Sequence, residues 1–85
     1  MKTITIQILS IDGTKKTEHI ETHNILQTLQ HHVGGFIEII WAAANLPDEK
    51  IIIVNDEGLT WGLPTNPFYS GLVGNIVIMN KTDFQ

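Results

Sequence analysis

Isoleucine occupies 14 of the 85 positions, and the spacing of the first few commits this chain to a sheet. Between Thr3 and Ser10, Ile4, Ile6 and Ile8 alternate with Thr3, Thr5 and Gln7. β-Branched side chains are stiff at χ1, so they fit a pleated surface better than a helix. Their period of two predicts a strand with one covered face. Asp12-Gly13 then supplies a hairpin turn, and a polar segment from about Lys16 to Glu21 returns beside the first strand. With Ile20 as its only aliphatic anchor, this second strand reads as an edge.

The period changes after Glu21. Asn24 can cap a helix, and Gln27 stands three residues later, a capping-box spacing. Ile25, Leu26, Leu29 and Val33 form one helical stripe. Gly34 stops it, because the left-handed residue that ends a helix is cheapest as glycine. A helix of about three turns is marginal alone and must lie on a sheet. Phe36 to Trp41 is extended and apolar on both faces, which predicts a central strand. Pro47-Asp48 marks a turn. Ile51 to Val54 is another two-sided strand, stopped by Asn55-Asp56-Glu57-Gly58. Leu59 to Gly74 holds too many glycines and prolines for a regular element. Ile76 to Met79 is the last strand. The expectation is one α+β domain over residues 1–80, with a single short helix packed on a mostly antiparallel sheet of about five strands (ββαββ-loop-β). Residues 81–85 are expected to be a polar tail.

Composition narrows the function. The chain has five scattered lysines, no arginine and a net charge of −4, whereas proteins that grip a phosphate backbone cluster their cations. Nucleic acid is therefore not the expected partner. Its nine carboxylates are too dispersed for a DNA mimic. No apolar run approaches the ~20 residues of a membrane span, and the alternating N-terminal residues do not resemble a signal peptide. These features predict a soluble intracellular protein. The absence of cysteine excludes disulfides and thiolate chemistry. Charged residues make up 16%, under the ~25% of ordinary domains. That aliphatic surplus predicts more apolar surface than one helix can cover, hence a homodimer or a higher homo-oligomer.

Three segments carry a family resemblance. Leu26-Gln27-Thr28-Leu29-Gln30-His31-His32-Val33-Gly34-Gly35-Phe36-Ile37-Glu38 is the longest. Asn55-Asp56-Glu57-Gly58-Leu59 and Gly62-Leu63-Pro64-Thr65-Asn66-Pro67 follow in order, and Gly74-Asn75-Ile76-Val77-Ile78 closes the series. Together they resemble domain of unknown function 3846, a family found mainly in phages and mobile elements. Phe36 stands where that family often has tyrosine. Phe68-Tyr69-Ser70 stands where it often has basic residues. The resemblance implies a phage-like origin and a compact α+β fold, and it implies no activity.

Candidate chemistry is sparse. His19 and His23 fall on strand-like and connecting sequence, and His31 and His32 point about 100° apart on a helix, so no metal or other cofactor is expected. Asp48-Glu49 and Asp56-Glu57 occupy turns, where such residues are favoured for conformational reasons. No catalytic triad order, phosphate loop or His-Glu-x-x-His motif is present, so an enzyme is not expected. Glu38, mid-strand among large apolar neighbours, is either a solvent-side residue or a polar anchor in a pocket.

The loop from Leu59 to Gly74 is the expected site. Trp61, Leu63, Asn66, Phe68 and Tyr69 lie within nine residues of a chain that has only six aromatics. Rings can stack on a flat ligand while asparagine reads its edge. The alternative is that Trp61 and Phe68 fold back as a minor core. Asn55, Glu38 and the backbone of Gly34-Gly35 complete the candidate set, although a chain reversal explains the glycine pair more plainly. The expected function is a non-enzymatic, phage-type ligand-binding protein. It would sequester a nucleotide-derived immune signal, cyclic ADP-ribose or ADP-ribose-like, in the cytoplasm of an infected bacterial host. A protein–protein inhibitor of a host defence enzyme is the alternative, and a hydrolase of such signals is a third.

Overall fold

The computed structural model describes residues 2–84. Its elements run β1 (Thr3–Leu9), β2 (Lys15–Glu21), a 3₁₀ turn (Thr22–Asn24), α1 (Ile25–Val33), β3 (Ile37–Ile40), β4 (Lys50–Asn55), β5 (Ile76–Asn80) and α2 (Lys81–Phe84). The five strands form one sheet in the order β2-β1-β5-β4-β3, with every neighbouring pair antiparallel. The protein is an α+β domain of the class the sequence pattern predicts.

Alternation sets which side chains meet. Ile4, Ile6 and Ile8 of β1 share a face with Ile51 and Ile53 of β4 and with Val77 and Met79 of β5, under Leu29 and Val33 of α1. Burying each such side chain stabilises the fold by about 1.5–3 kcal/mol. Ile25 packs at the margin of this core, whereas Leu26 is 50% exposed. One residue beyond Ile25 on a helix is a turn of about 100°, which carries Leu26 off the stripe. Nor does the capping box form. Asn24 makes no side-chain cap hydrogen bond, because the 3₁₀ turn already leads the chain into α1. Gly34 ends α1 at φ +84°, as its sequence position predicts.

One strand position differs from expectation, and the sequence left another open. β3 is an edge strand, and the last strand, β5, sits at the centre between β1 and β4. β3 reads as central because it is apolar on both faces. The structure meets that pattern by covering an edge twice: Ile37 and Ile39 pack toward α1, and Ile40 packs on the opposite side. The expected polar tail also changes. Residues 81–84 form α2, whose Phe84 packs against the core, while Gln85 and Met1 lie outside the described residues.

The face away from α1 has its own core. Leu9, Ile52, Val54 and Ile76 are buried there beneath Tyr69, Leu72, Ala43 and Leu46, from the segments before β4 and β5. These two segments cover much of the apolar surplus, while Ile11, Leu26, Phe36, Trp41, Leu59 and Trp61 stay exposed.

Candidate functional site

The long loop folds onto the sheet through backbone geometry. Thr65 and Val73 form an isolated antiparallel bridge, and the Asn66 amide donates to Leu72 O at 2.8 Å. Gly74 takes φ +76°, a conformation side-chain-bearing residues rarely adopt, and its amide donates to Pro64 O at 2.7 Å. The result is a small irregular hairpin whose tip, Tyr69 to Leu72, lies across the far face.

That tip separates two hollows. The larger is an open groove of about 690 Å³, floored by Gln7, Leu9, Ile40 and Ile78 and walled by Phe68 and Tyr69 on one side. The segment from Ala43 to Pro47 makes the opposite wall. Lys15 and Lys50 stand at its margins, and among the described residues no carboxylate lines it. The Lys15 ammonium sits 5.9 Å from the centroid of the Phe68 ring, where the negative ring face attracts it. Lys50 donates to Asn80 Oδ1 at 2.7 Å, which aims its ammonium without neutralising it. In a chain of net charge −4, this groove gathers two of the five lysines. The smaller hollow, about 130 Å³, lies beyond Gly71 and Leu72 and carries Glu38 and Asp56 instead.

The structure separates the residues that the sequence grouped. Phe68 and Tyr69 line the groove, with Leu72 between them and the acidic hollow. Glu38 is in that hollow and does not reach the aromatic pair. Trp61 is 55% exposed and lines neither hollow. Leu63 packs under the loop, its Cδ1 close to where side chains at Gly58 and Gly74 would stand.

The two asparagines are structural. Asn66 is only 2% exposed; its side-chain amide donates to Leu9 O and Gly74 O, each at 2.9 Å, and its Oδ1 accepts from Phe68 N at 2.9 Å. Both donors are committed, so it cannot read a ligand edge as expected. It instead positions Phe68. Asn55 is similarly buried, donating to Val33 O at 3.1 Å and accepting from Glu57 N at 2.8 Å, which ties the end of α1 to the turn after β4. The Gly34-Gly35 amides are not an anion cradle either. Both donate to Gln30 O, at 2.8 and 3.1 Å, as a helix C-terminus requires.

Gln7, Lys15, Lys50 and the Ala43–Pro47 segment were not singled out by sequence. Gln7 carried a signal: it alternates with Ile6 and Ile8, so it had to lie on the face away from α1. The histidines stay peripheral. His19 Nδ1 lies 3.0 Å from Thr5 Oγ1, and His32 Nε2 lies 3.4 Å from Glu18 Oε1. Among the described residues, no group of three or more histidines and carboxylates could hold a metal ion. None of their helices is long and apolar enough to cross a membrane.

No curated protein and no solved structure matches the chain. The model of the family described as Domain of unknown function (DUF3846) matches residues 4–84, and the chain belongs to that family.

Proposed function

We propose that this protein is a non-enzymatic binder of a small nucleotide-type ligand, held in the groove beside Phe68 and Tyr69. One observation carries the reading: two lysines and two aromatic rings share a groove in which, among the described residues, there is no carboxylate. Ring faces suit a base, and the lysines suit one or two phosphates. The missing arginines fit the same scale, because a small ligand presents few phosphates. A lining without a paired acid and base favours holding the ligand over converting it. The finer reading is a counter-defence sponge in the cytoplasm of an infected bacterium. It would sequester a cyclic ADP-ribose or ADP-ribose-like immune signal.

Thermal-shift and calorimetric titration with cyclic ADP-ribose, ADP-ribose and AMP test this. Ligand at about 100 times its Kd raises stability by about 2.7 kcal/mol, a clear rise in Tm. Heat-denaturing the complex should return the nucleotide intact, whereas a hydrolase would return products. No shift with any of these nucleotides, on folded protein, overturns the reading.

A second reading has its own observation. Leu59 and Trp61 are large, apolar and exposed in the same loop, a pattern suited to a protein partner such as a host defence enzyme. Host-lysate capture that is lost in Trp61→Ala but kept in Lys15→Ala would favour it.

A further inference from the structure

The two edges of the sheet carry different side chains. β2 has Lys15, Lys16, Glu18 and Glu21 along its length, the kind of charge that discourages edge-to-edge pairing. β3, at the other edge, carries a single charge, Glu38, among Ile37, Ile39 and Ile40. It is flanked by Phe36, 69% exposed, and Trp41, 47% exposed.

The backbone of β3 also has free groups. The Asp56 amide donates to Phe36 O at 2.8 Å, in line with the β3–β4 register, so these two face each other as a hydrogen-bonded pair. Antiparallel ladders alternate, which gives Glu38 with Val54 and Ile40 with Ile52 the same status. The N–H and C=O of Ile37 and Ile39 therefore point away from β4. Among the described residues, no turn, loop or side-chain hydrogen bond reaches them.

We propose that this edge is the interface of a two-fold homodimer, in which β3 pairs antiparallel with β3 of a second copy and the two sheets become one. The charge pattern and the strand bounds together select the register, because pairings centred on Ile37 or Ile40 would bring only one residue of β3 opposite β3 of the second copy. Keeping both helices on one face of the joined sheet requires facing residues to share pleat parity. Centred on Glu38, the pairing would set two carboxylates directly opposite, which is repulsive. Centred on Ile39, it sets Ile39 against Ile39, Ile37 against Trp41 of the second copy, and Glu38 against Ile40. No like charges meet. The outward groups of each Ile39 bond the other, and Ile37 faces Trp41, the residue that follows the strand's end. The strand is thus complementary to itself, as an isologous interface demands. Phe36 and Trp41 widen the contact beyond the strand toward the ~800 Å² per partner of a stable interface. This proposal rests on the sheet edge and is independent of the ligand groove.

Size-exclusion with light scattering at micromolar concentration should give twice the 9.5 kDa chain mass. Trp41→Lys, at an exposed position, should give a folded monomer by circular dichroism. Because the chain has no cysteine, Ile39→Cys is a unique thiol. Facing residues of a hydrogen-bonded pair lie about 5.5 Å apart at Cα, within disulfide reach. Mild oxidation should therefore cross-link Ile39→Cys and leave Glu38→Cys uncross-linked. A wild-type monomer, a Trp41→Lys dimer, or cross-linking of Glu38→Cys in place of Ile39→Cys overturns the proposal.

Discussion

The side-chain amide of Asn66 hydrogen-bonds the carbonyl of Leu9, 57 positions earlier, at 2.9 Å. This contact fastens the long loop to the end of β1, and through the Phe68 amide it also sets one wall of the groove. Leu9 O and Gly74 O are satisfied by a side chain that is itself buried, so nothing from solvent substitutes for it.

Asn66→Ala should cost about 2–3 kcal/mol, because buried polar partners lose their hydrogen bonds together. For a domain of this size that lowers Tm by about 10–20 °C. Thermal denaturation followed by circular dichroism reads it. A loss under about 0.5 kcal/mol would mean that the loop is held by its apolar contacts alone.

Gly74→Ala should destabilise twice over. Its φ of +76° strains any side-chain-bearing residue, and the added Cβ would stand 2.9 Å from Leu63 Cδ1. The neighbour is the end of a flexible side chain, so part of the clash relaxes. A loss of about 1–3 kcal/mol is expected in urea denaturation. In Gly74→Ala with Leu63→Ala, the clash component should vanish and the strain component remain.

On the proposed nucleotide binding, Lys15→Ala should weaken ADP-ribose binding roughly tenfold while leaving the fold intact, since Lys15 is exposed and would act through its charge. Calorimetry at low and high salt checks the cause. Wild-type affinity should fall with salt more steeply than that of Lys15→Ala, because screening acts on the charge that the variant lacks.

The hairpin turn has a pH signature. The Thr14 hydroxyl, 2.7 Å away, and then the Thr14 amide, 2.9 Å away, hold the Asp12 carboxyl below its ordinary 3.8. A lowered folded value means the stabilisation is fully present above pH 3.8 and is lost as pH falls through the lower folded value. Following the Thr14 amide by NMR should give a midpoint below 3.8, and Thr14→Val should move the Asp12 midpoint back up toward it. An unmoved midpoint in that variant would show that the backbone amide acts alone.

Much of the fold was legible in the residues. Ile4, Ile6 and Ile8 announce their strand by period, Asp12-Gly13 its turn, and Gly34 the end of α1, because each signal is local. Strand order was less so. The two-sided apolarity of the Phe36–Trp41 segment read as a central strand, but sequence does not say whether a second face is covered by another strand or by a loop. The lining of the candidate groove was legible in part. Phe68 and Tyr69 were found by composition, and Lys15 and Lys50 were missed because they come from β2 and β4, far from the loop in sequence. Asn66 looked like a ligand contact for the same reason: its partner, Leu9 O, becomes visible only when the loop is laid on the sheet.

The sequence alone determined the α+β class, α1 and its stop, and the absence of arginine from any site the chain could build. Tertiary structure decided that β5 takes the centre of the sheet and that β3 is left at an edge with outward backbone groups. It also decided how much of the apolar surplus the chain covers itself and that Phe36 and Trp41 are left exposed beside β3. The reason is physical. Period, capping and turn chemistry act over a few residues. Burial depends on which distant segments arrive on each face, and in this protein the loop before β5 arrives on the face that α1 leaves open.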